Sequence, residues 1–432
     1  MSKKPKRILM LLENESFPED TRVLLEARSL VAAGYAVTVI CPTSAPRRYH
    51  ETIDGVRVYR YRETAQRDGL LGYMWEYGYS LVAMTVLSLW VWLRRGFDVV
   101  HVHTPPDLTA LIAIAYQAVG KRFVFDHHDL SPELYQARRG ASTPNFVYRA
   151  LCFFERLACR RADRLIATNA SQQHIQITRG GAAAEHCYVV RNGPNQRFLQ
   201  HVQPEPSLCE SGKLVLGYVG AIGIQDNVDT LAHVARRLRV HSGREDFRVV
   251  IVGDGPAMDR LREEIDRLDV GDLFVLTGMI PFASVPAYIA AFDICLTPDH
   301  SNPYNDSCTT IKTMEYMALG KPTVCFQTRE NRHTAGDAAL YAQDNAVASF
   351  AAAVLRLMDD ATLRKRMGAL GRKRIDDGLT WSHQAVALLE LYRSLLPASV
   401  VSSPALPKPH DADVATDPAG KQPRTLGAAT DD

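Results

Sequence analysis

The chain has 432 residues, of which 46% are hydrophobic, 23% charged and 8% aromatic, with 50 basic against 48 acidic side chains and a formal net charge of +2. That near-neutral balance excludes a dedicated nucleic-acid binder, which carries a clear basic excess, and the composition excludes collagen-like, coiled-coil and wholly disordered chains. The length leaves room for two or three domains of ~100–200 residues each.

The first segment, MSKKPKRILMLLENE, is basic, but its apolar run from Ile8 to Leu12 is shorter than a secretory core and no small-residue cleavage site follows, so a cytoplasmic chain is expected. Short runs rich in Val and Ile then recur at 7–12, 36–41, 98–103, 122–126 and 164–168, each followed by a helical pattern. Strands apolar on both faces belong in a parallel sheet covered by helices, which predicts a doubly wound α/β domain over 1–195. A polar stretch with Gly and Pro over 196–212 reads as a linker. The rhythm restarts at 214–220, 248–255, 273–278, 293–298 and 322–326, giving a second α/β domain over 213–380. A closing helix covers 381–396 and is placed to cross back to the first domain. From Pro397 onward six prolines and no aromatic residue predict a disordered tail, because so little apolar surface cannot offset the entropy of ordering.

Eight cysteines stand at 41, 152, 159, 187, 209, 295, 308 and 325 with no C-x-x-C pair. They read as reduced core thiols, and no metal site is expected.

Two segments complicate a purely soluble reading. Between Glu76 and Arg94 stand 17 uncharged residues, including Trp90 and Trp92. A single crossing there would separate strands that share one sheet, so the segment is either a buried domain helix or one exposing part of its apolar face to lipid. Over 138–164, seven arginines face only Glu155 and Asp163, interleaved with Phe146, Tyr148, Phe153 and Phe154. This is either a solvated helix face or a peripheral contact with an anionic membrane.

The segment SNPYNDSCTTIKTMEYMALGKPTVCF carries the most chemistry. It predicts a short helix from Ile311 to Leu319, stopped by Gly320 and Pro322 and followed by a buried strand. Free amides at its start, with the hydroxyls of Ser307, Thr309 and Thr310 and the cation of Lys312, form an anion site, and Glu315 one turn on can accept hydrogen bonds from a ribose diol. The expected ligand is a nucleoside diphosphate.

In their order along the chain, FPEDTRVLLEARSLVAAGYAVTVICP, DVVHVHTPPD, FDHHDLSPELY, ADRLIATNASQ, VVRNGPNQRF, VGAIGIQDNVD, IVGDGP, AFDICLTP and KTMEYMALGKP resemble the retaining glycosyltransferase family called glycosyl transferases group 1, in its bacterial surface-polysaccharide form. The resemblance covers most of 7–396 and implies the GT-B architecture: two facing Rossmann-like doubly wound domains, the first on the acceptor side and the second binding a nucleotide sugar. It implies Glu315 as the ribose-binding glutamate, Gly220, Asp254 and Gly255 as donor-pocket positions, and His128 as the histidine that contacts the transferred sugar. Arg22, Asp107 and Asp129 fall on the acceptor side, where Arg22 has the alternative of capping its helix and Asp107 that of an ordinary turn aspartate.

The chain departs from the family pattern twice. Ser307 stands where a first glutamate is usual, with Asp306 as a substitute, and Ala221 and Asp226 stand near the places of an Arg and a Lys that hold the diphosphate. Lys312, with Arg191 or Arg329, is then the expected replacement cation. The implied reaction is transfer of a sugar, with retention and without metal or cofactor, from a nucleotide diphosphate sugar to a glycan or lipid-linked acceptor in polysaccharide biosynthesis. A sugar-nucleotide epimerase of the same architecture and a non-catalytic nucleotide-sugar-binding subunit are the alternatives.

Overall fold

The computed structural model describes residues 5–43, 48–64, 69–139, 145–210 and 212–396; the tail from 397, expected to be disordered, lies outside the described residues. The chain divides into two compact units, one running to Arg191 and resuming at Trp381, the other covering Asn192–Thr380. Each is an α/β layer built on a largely parallel sheet.

The first unit contains β1 (Arg7–Leu11), β2 (Ala36–Thr43), β3 (His50–Ile53), β4 (Val56–Arg62), β5 (Val99–Thr104), β6 (Arg122–His127), β7 (Arg164–Ala167) and β8 (Cys187–Val189). Their order is β3-β4-β2-β1-β5-β6-β7-β8, parallel throughout except for the β3–β4 hairpin. The sequence runs located β1, β2, β5, β6 and β7; the hairpin and β8 went unread. The hairpin turns at Asp54–Gly55, both at positive φ, and an Asp-Gly pair between alternating apolar residues is the signal that could have found it.

Helices α1 (Thr21–Ala32), α2 (Gly69–Arg94), α3 (Ala110–Gln117), α4 (Ser131–Arg139), α5 (Phe146–Arg161) and α6 (Ala170–Thr178) connect these strands. Successive strand residues point to opposite faces, and the core divides accordingly. Leu9, Leu11, Val100, Val102, Phe123 and Phe125 pack against α2, α3 and α5. Ile8, Met10, Val99, Val124 and Ile166 pack against α1 and the helix Trp381–Leu395, whose Leu388, Leu391, Tyr392 and Leu395 are buried there. No helix among the described residues is long and apolar enough to cross a membrane.

The second unit contains β9 (Leu214–Val219), β10 (Phe247–Val252), β11 (Phe274–Gly278), β12 (Ile294–Thr297), β13 (Thr323–Phe326) and β14 (Ala339–Ala342), in the order β11-β10-β9-β12-β13-β14 and all parallel. The stretch expected as a linker instead forms two short helices, Gln196–Leu199 and Pro206–Cys209, because Phe198 and Leu208 are apolar anchors buried in this unit's core. The strand order reverses between β1 and β5 in the first unit and between β9 and β12 in the second. Open α/β sheets bind ligands at the carboxyl ends of the strands flanking such a reversal.

Candidate functional site

Strand parity builds the polar centre of the first unit. His101 and His103 on β5 and Asp126 on β6 project from the sheet face covered by α1, at i, i+2 positions in register across the strand pair. On α1, whose Asp20 caps the helix by accepting from Val23 N at 2.9 Å, Arg22 and Glu26 lie one turn apart and face inward. All five side chains are buried.

Arg22 donates from Nη2 to Asp126 Oδ1 at 3.0 Å and from Nη1 to the Val190 carbonyl at 3.0 Å, and sits 3.2 Å from Glu26. The Arg22 guanidinium is thus held by groups inside the fold, and it is Asp20 that caps the helix. Burial alone would raise Asp126, but Arg22 and then His128 hold its carboxyl well below the usual range. Burial and the neighbouring Asp126 charge push the Glu26 carboxyl well above its ordinary value, against the pull of Arg22. Burial lowers both His101 and His103 from the ordinary histidine value, and the Tyr392 hydroxyl lies 2.9 Å from His101 Nδ1. Glu26, His101, His103 and Asp126 bring potential metal-ligand atoms within 4.8 Å of one another, yet the positive charge such a set requires is already supplied by Arg22.

At the edge of this centre stands His128, its Nε2 3.0 Å from Asp126 Oδ2 and 3.3 Å from His103 Nδ1, with its backbone carbonyl held by Gln172 Nε2 at 3.0 Å. Asp129 beside it is half-buried. Asp107 is buried at the start of the turn Asp107–Thr109 leading into α3, and burial together with Glu155 raises its carboxyl well above the ordinary value. His127 points to the opposite sheet face from His128, where burial, then Arg179, lowers it to about 4. Arg179 there bridges Glu133 and Glu155.

In the second unit the helix Ile311–Ala318 begins at Thr310 without a side-chain cap and ends at Gly320 at φ 67°, as the sequence indicates. The Thr310 hydroxyl donates to Asn331 Oδ1 at 2.9 Å and the Ser307 hydroxyl to the Pro303 carbonyl at 3.0 Å; Thr309 lies half-buried beside them. Met314, Met317 and Ala318 anchor the helix in the core, and the Tyr316 hydroxyl accepts from Val219 N at 2.9 Å, tying it to the end of β9.

The Lys312 ammonium is not an open cation. It lies 3.0 Å from Asp226 Oδ1, 3.2 Å from Asp299 Oδ1 and 3.1 Å from the Tyr218 hydroxyl, above whose ring it also sits. Burial alone would lower Lys312, but Asp299, then Tyr218 and Asp226, raise it well above its ordinary value. Asp299 itself is pushed up to about 6 by burial, against the pull of Lys312. A diphosphate would have to compete with two carboxylates for this lysine. Asp226, which stands near the customary loop cation, thus meets a cation arriving from the opposite side of the sheet reversal.

Glu315 is half-buried, and its carboxyl makes no hydrogen bond or ion pair among the described residues; burial alone pushes that carboxyl up to about 7. The loop after β10 closes over the loop after β9: Gly220 N donates to Val252 O at 3.0 Å, Ile222 N to Asp254 O at 3.1 Å, and Gly255 N to Asp254 Oδ1 at 2.7 Å. Gly253 is required there, since at φ 137° a Cβ would lie 1.9 Å from the Gly220 carbonyl oxygen. Asp306, the substitute for the missing glutamate, accepts from the Ser301 hydroxyl at 3.0 Å. Arg191 is buried in the first unit, and Arg329 is exposed at the start of the helix Arg329–Ala335.

The first unit's residues 20–193 match the family model for the glycosyl transferase 4-like domain, and residues 213–360 match that for glycosyl transferases group 1. Among curated relatives, a 2-deoxystreptamine N-acetyl-D-glucosaminyltransferase from Streptomyces fradiae is 26% identical over 58% of this chain and 60% of its own length. A glycogen synthase from Mycobacterium tuberculosis is 24% identical over 88% of this chain and 91% of its own. Among solved structures, a sucrose-phosphate synthase from Thermosynechococcus elongatus superposes with a TM-score of 0.73 at 17% identity, covering 90% of this chain and 99% of that one. Anabaena HepE, solved in complex with UDP, gives 0.66 at 14% identity, covering 90% and 100%. The two family matches, each falling on one unit of the expected two-sheet architecture, place this chain in the glycosyl transferases group 1 family of GT-B glycosyltransferases.

Proposed function

We propose that the chain transfers a sugar, with retention, from a nucleotide diphosphate donor held by the second unit to a hydroxyl of a glycan or lipid-linked acceptor received by the first, in polysaccharide biosynthesis. The observation that carries this reading is Glu315, a half-buried carboxyl with no partner, set behind an uncapped helix start at the sheet reversal. A ribose diol supplies the hydrogen-bond donors that this carboxyl lacks. The first amides of the helix Ile311–Ala318 and its dipole take the diphosphate, stabilising the leaving group as its charge grows. Gly220, Asp254 and Gly255 line the base side, and His128, oriented by Asp126, contacts the transferred sugar. The reading calls for no metal and no cofactor. Its support from relatives is the UDP complex of HepE and the polymer-building activity named for the glycogen synthase.

The test is calorimetry with UDP, GDP and ADP on Glu315→Gln and Glu315→Ala, paired with sugar-transfer assays. Loss of a buried diol contact weakens binding by about tenfold or more; undiminished binding in both variants removes the donor from this helix. The compensated state of Lys312 favours one second reading, a subunit that binds a nucleotide sugar without turning it over, and nucleotide binding with no transfer to any acceptor would establish it.

A further inference from the structure

The outward side of the helix layer α2, α3 and α5 has a composition that solvent does not explain. Along α2, Trp75, Val82, Val86, Leu89, Trp90 and Leu93 are all exposed, Val86 by 61% and Leu93 by 74%. At 100° per residue these six fall within an arc of roughly 100°, one continuous stripe about 27 Å long. The polar residue in that stretch of the exposed side, Thr85, turns its hydroxyl back to the Leu81 carbonyl at 2.6 Å and presents its methyl group. The inward side, with Met84 and Val91, is packed on the sheet; of the stripe, Trp90 also meets the buried Tyr59 ring edge-on, and the other five residues are surplus to the core.

Next to α2 on the same sheet face, α3 and the turn after it expose Ala115, Ala118 and Val119, again uncharged. Then α5, on the same face again, exposes Phe146, Arg149, Phe153, Arg156 and Arg160 at i, i+3, i+7, i+10 and i+14. Its one acid, Glu155, is turned inward and held by Arg179. The end of α2 adds exposed Arg94, stacked over Trp90, and Arg95. The layer therefore offers an apolar ridge with two tryptophans, with Arg94 and Arg95 at its end and the arginines of α5 to one side beyond α3, and with no exposed acid on these helices among the described residues.

We infer that this face docks on an anionic phospholipid bilayer, with α2 lying in the plane of the interface. Apolar ridges with tryptophan insert at the level of the acyl boundary while arginines reach the headgroup phosphates, and the two contributions add. A second copy of the chain fits less well, because it would bring the same arginines against one another. The surface deepens the transferase reading, resting on it for the lipid-linked acceptor that it brings within reach, although docking itself needs no transfer.

The experiment uses the full chain with phosphatidylcholine vesicles lacking or containing phosphatidylglycerol, at low and high salt, comparing the parent with Val86→Asp/Leu89→Asp and with Arg149→Glu/Arg160→Glu. UDP calorimetry serves as a measure of folding and, separately, of the donor site. The expected result is co-sedimentation with the anionic vesicles alone, weakened by salt and reduced about tenfold or more in each double variant, with UDP binding unchanged. No sedimentation of the parent, or equal sedimentation of the Val86→Asp/Leu89→Asp variant, overturns the docking face. A parent that is dimeric by sedimentation velocity and becomes monomeric in that variant overturns it in favour of self-association. Vesicle binding without UDP binding leaves the docking face standing and sinks the donor site instead.

Discussion

The Asp126 carboxylate lies 3.0 Å from His128 Nε2 on one side and 3.0 Å from Arg22 Nη2 on the other. A single buried anion thus orients the histidine at the corner of the first unit while being kept ionised by an arginine from a different element. Its two tasks are separable by substitution.

Replacing Asp126 with Asn removes the charge that holds Glu26 up, so Glu26, 3.2 Å away, takes over as the counter-charge of the buried Arg22 guanidinium. We expect destabilisation of about 1–3 kcal/mol in urea unfolding, from the charge-assisted hydrogen bonds lost to Arg22 and His128. Transfer measured on the folded fraction should fall through kcat with the donor KM nearly unchanged, since His128 loses its orientation while the second unit is untouched. An unchanged unfolding midpoint would mean that the pair is solvated in solution.

The raised Glu315 carboxyl makes stability depend on pH. Its folded value of about 7 lies above the ordinary glutamate range, so between that range and pH 7 the folded chain holds a proton that the unfolded chain has released. Stability contributed by this site therefore falls as pH rises through that window. Glu315→Gln removes the penalty, and at pH 8 it should be more stable than the parent by on the order of 2 kcal/mol, with the difference vanishing near pH 4. Thermal unfolding of both proteins across that range checks it.

Lys312 shares two carboxylates, and removing one should release part of its charge. Asp226→Asn keeps the Asp299 partner and a similar side-chain shape, so the fold should persist while UDP and GDP bind several-fold more tightly by calorimetry. Lys312→Ala has the opposite character: it leaves Asp226 and Asp299 facing each other under cover and should cost about 3–5 kcal/mol in stability. Unaltered nucleotide affinity in Asp226→Asn would show that the diphosphate lies away from this lysine.

Gly253→Ala should cost about 3 kcal/mol, combining a disfavoured φ with a collision against the Gly220 carbonyl. Gly34→Ala, also at positive φ but with nothing within 4 Å, isolates the backbone cost alone at about 1 kcal/mol. Urea titrations of the two variants give the comparison.

Much of the architecture was legible because buried parallel strands announce themselves as apolar on both faces, as VVHVHT and RFVFDH do. Elements at or beside the sheet edges carried weaker signals: four-residue β3 is half-exposed, β4 interleaves Arg57, Arg60 and Arg62 with its apolar residues, and three-residue β8 is too short for a pattern. The helix Ile311–Ala318 was readable from its stop signals, whereas the partners of Lys312 were not, since Asp226 and Asp299 are 86 and 13 residues away. The buried centre of the first unit left a trace that went unused. Two histidines at i, i+2 inside an otherwise apolar strand can reside there only if other elements supply polar partners on the same face, and Asp126 on the next strand has the matching parity. Distance in sequence hid Arg22 and Tyr392; alternation along β5 did not hide His101 and His103.

The hydroxyl of Tyr392 reaching His101 ties the helix that follows the second unit back to the first. A chain stopped at Thr380 would carry every strand of both sheets yet leave Ile8, Met10 and Val99 without the cover that Leu388, Leu391 and Leu395 give them. On the ribosome, the first unit must therefore wait, incompletely sealed, until the helix Trp381–Leu395, which follows the whole of the second unit's Asn192–Thr380 in the chain, has emerged to close it.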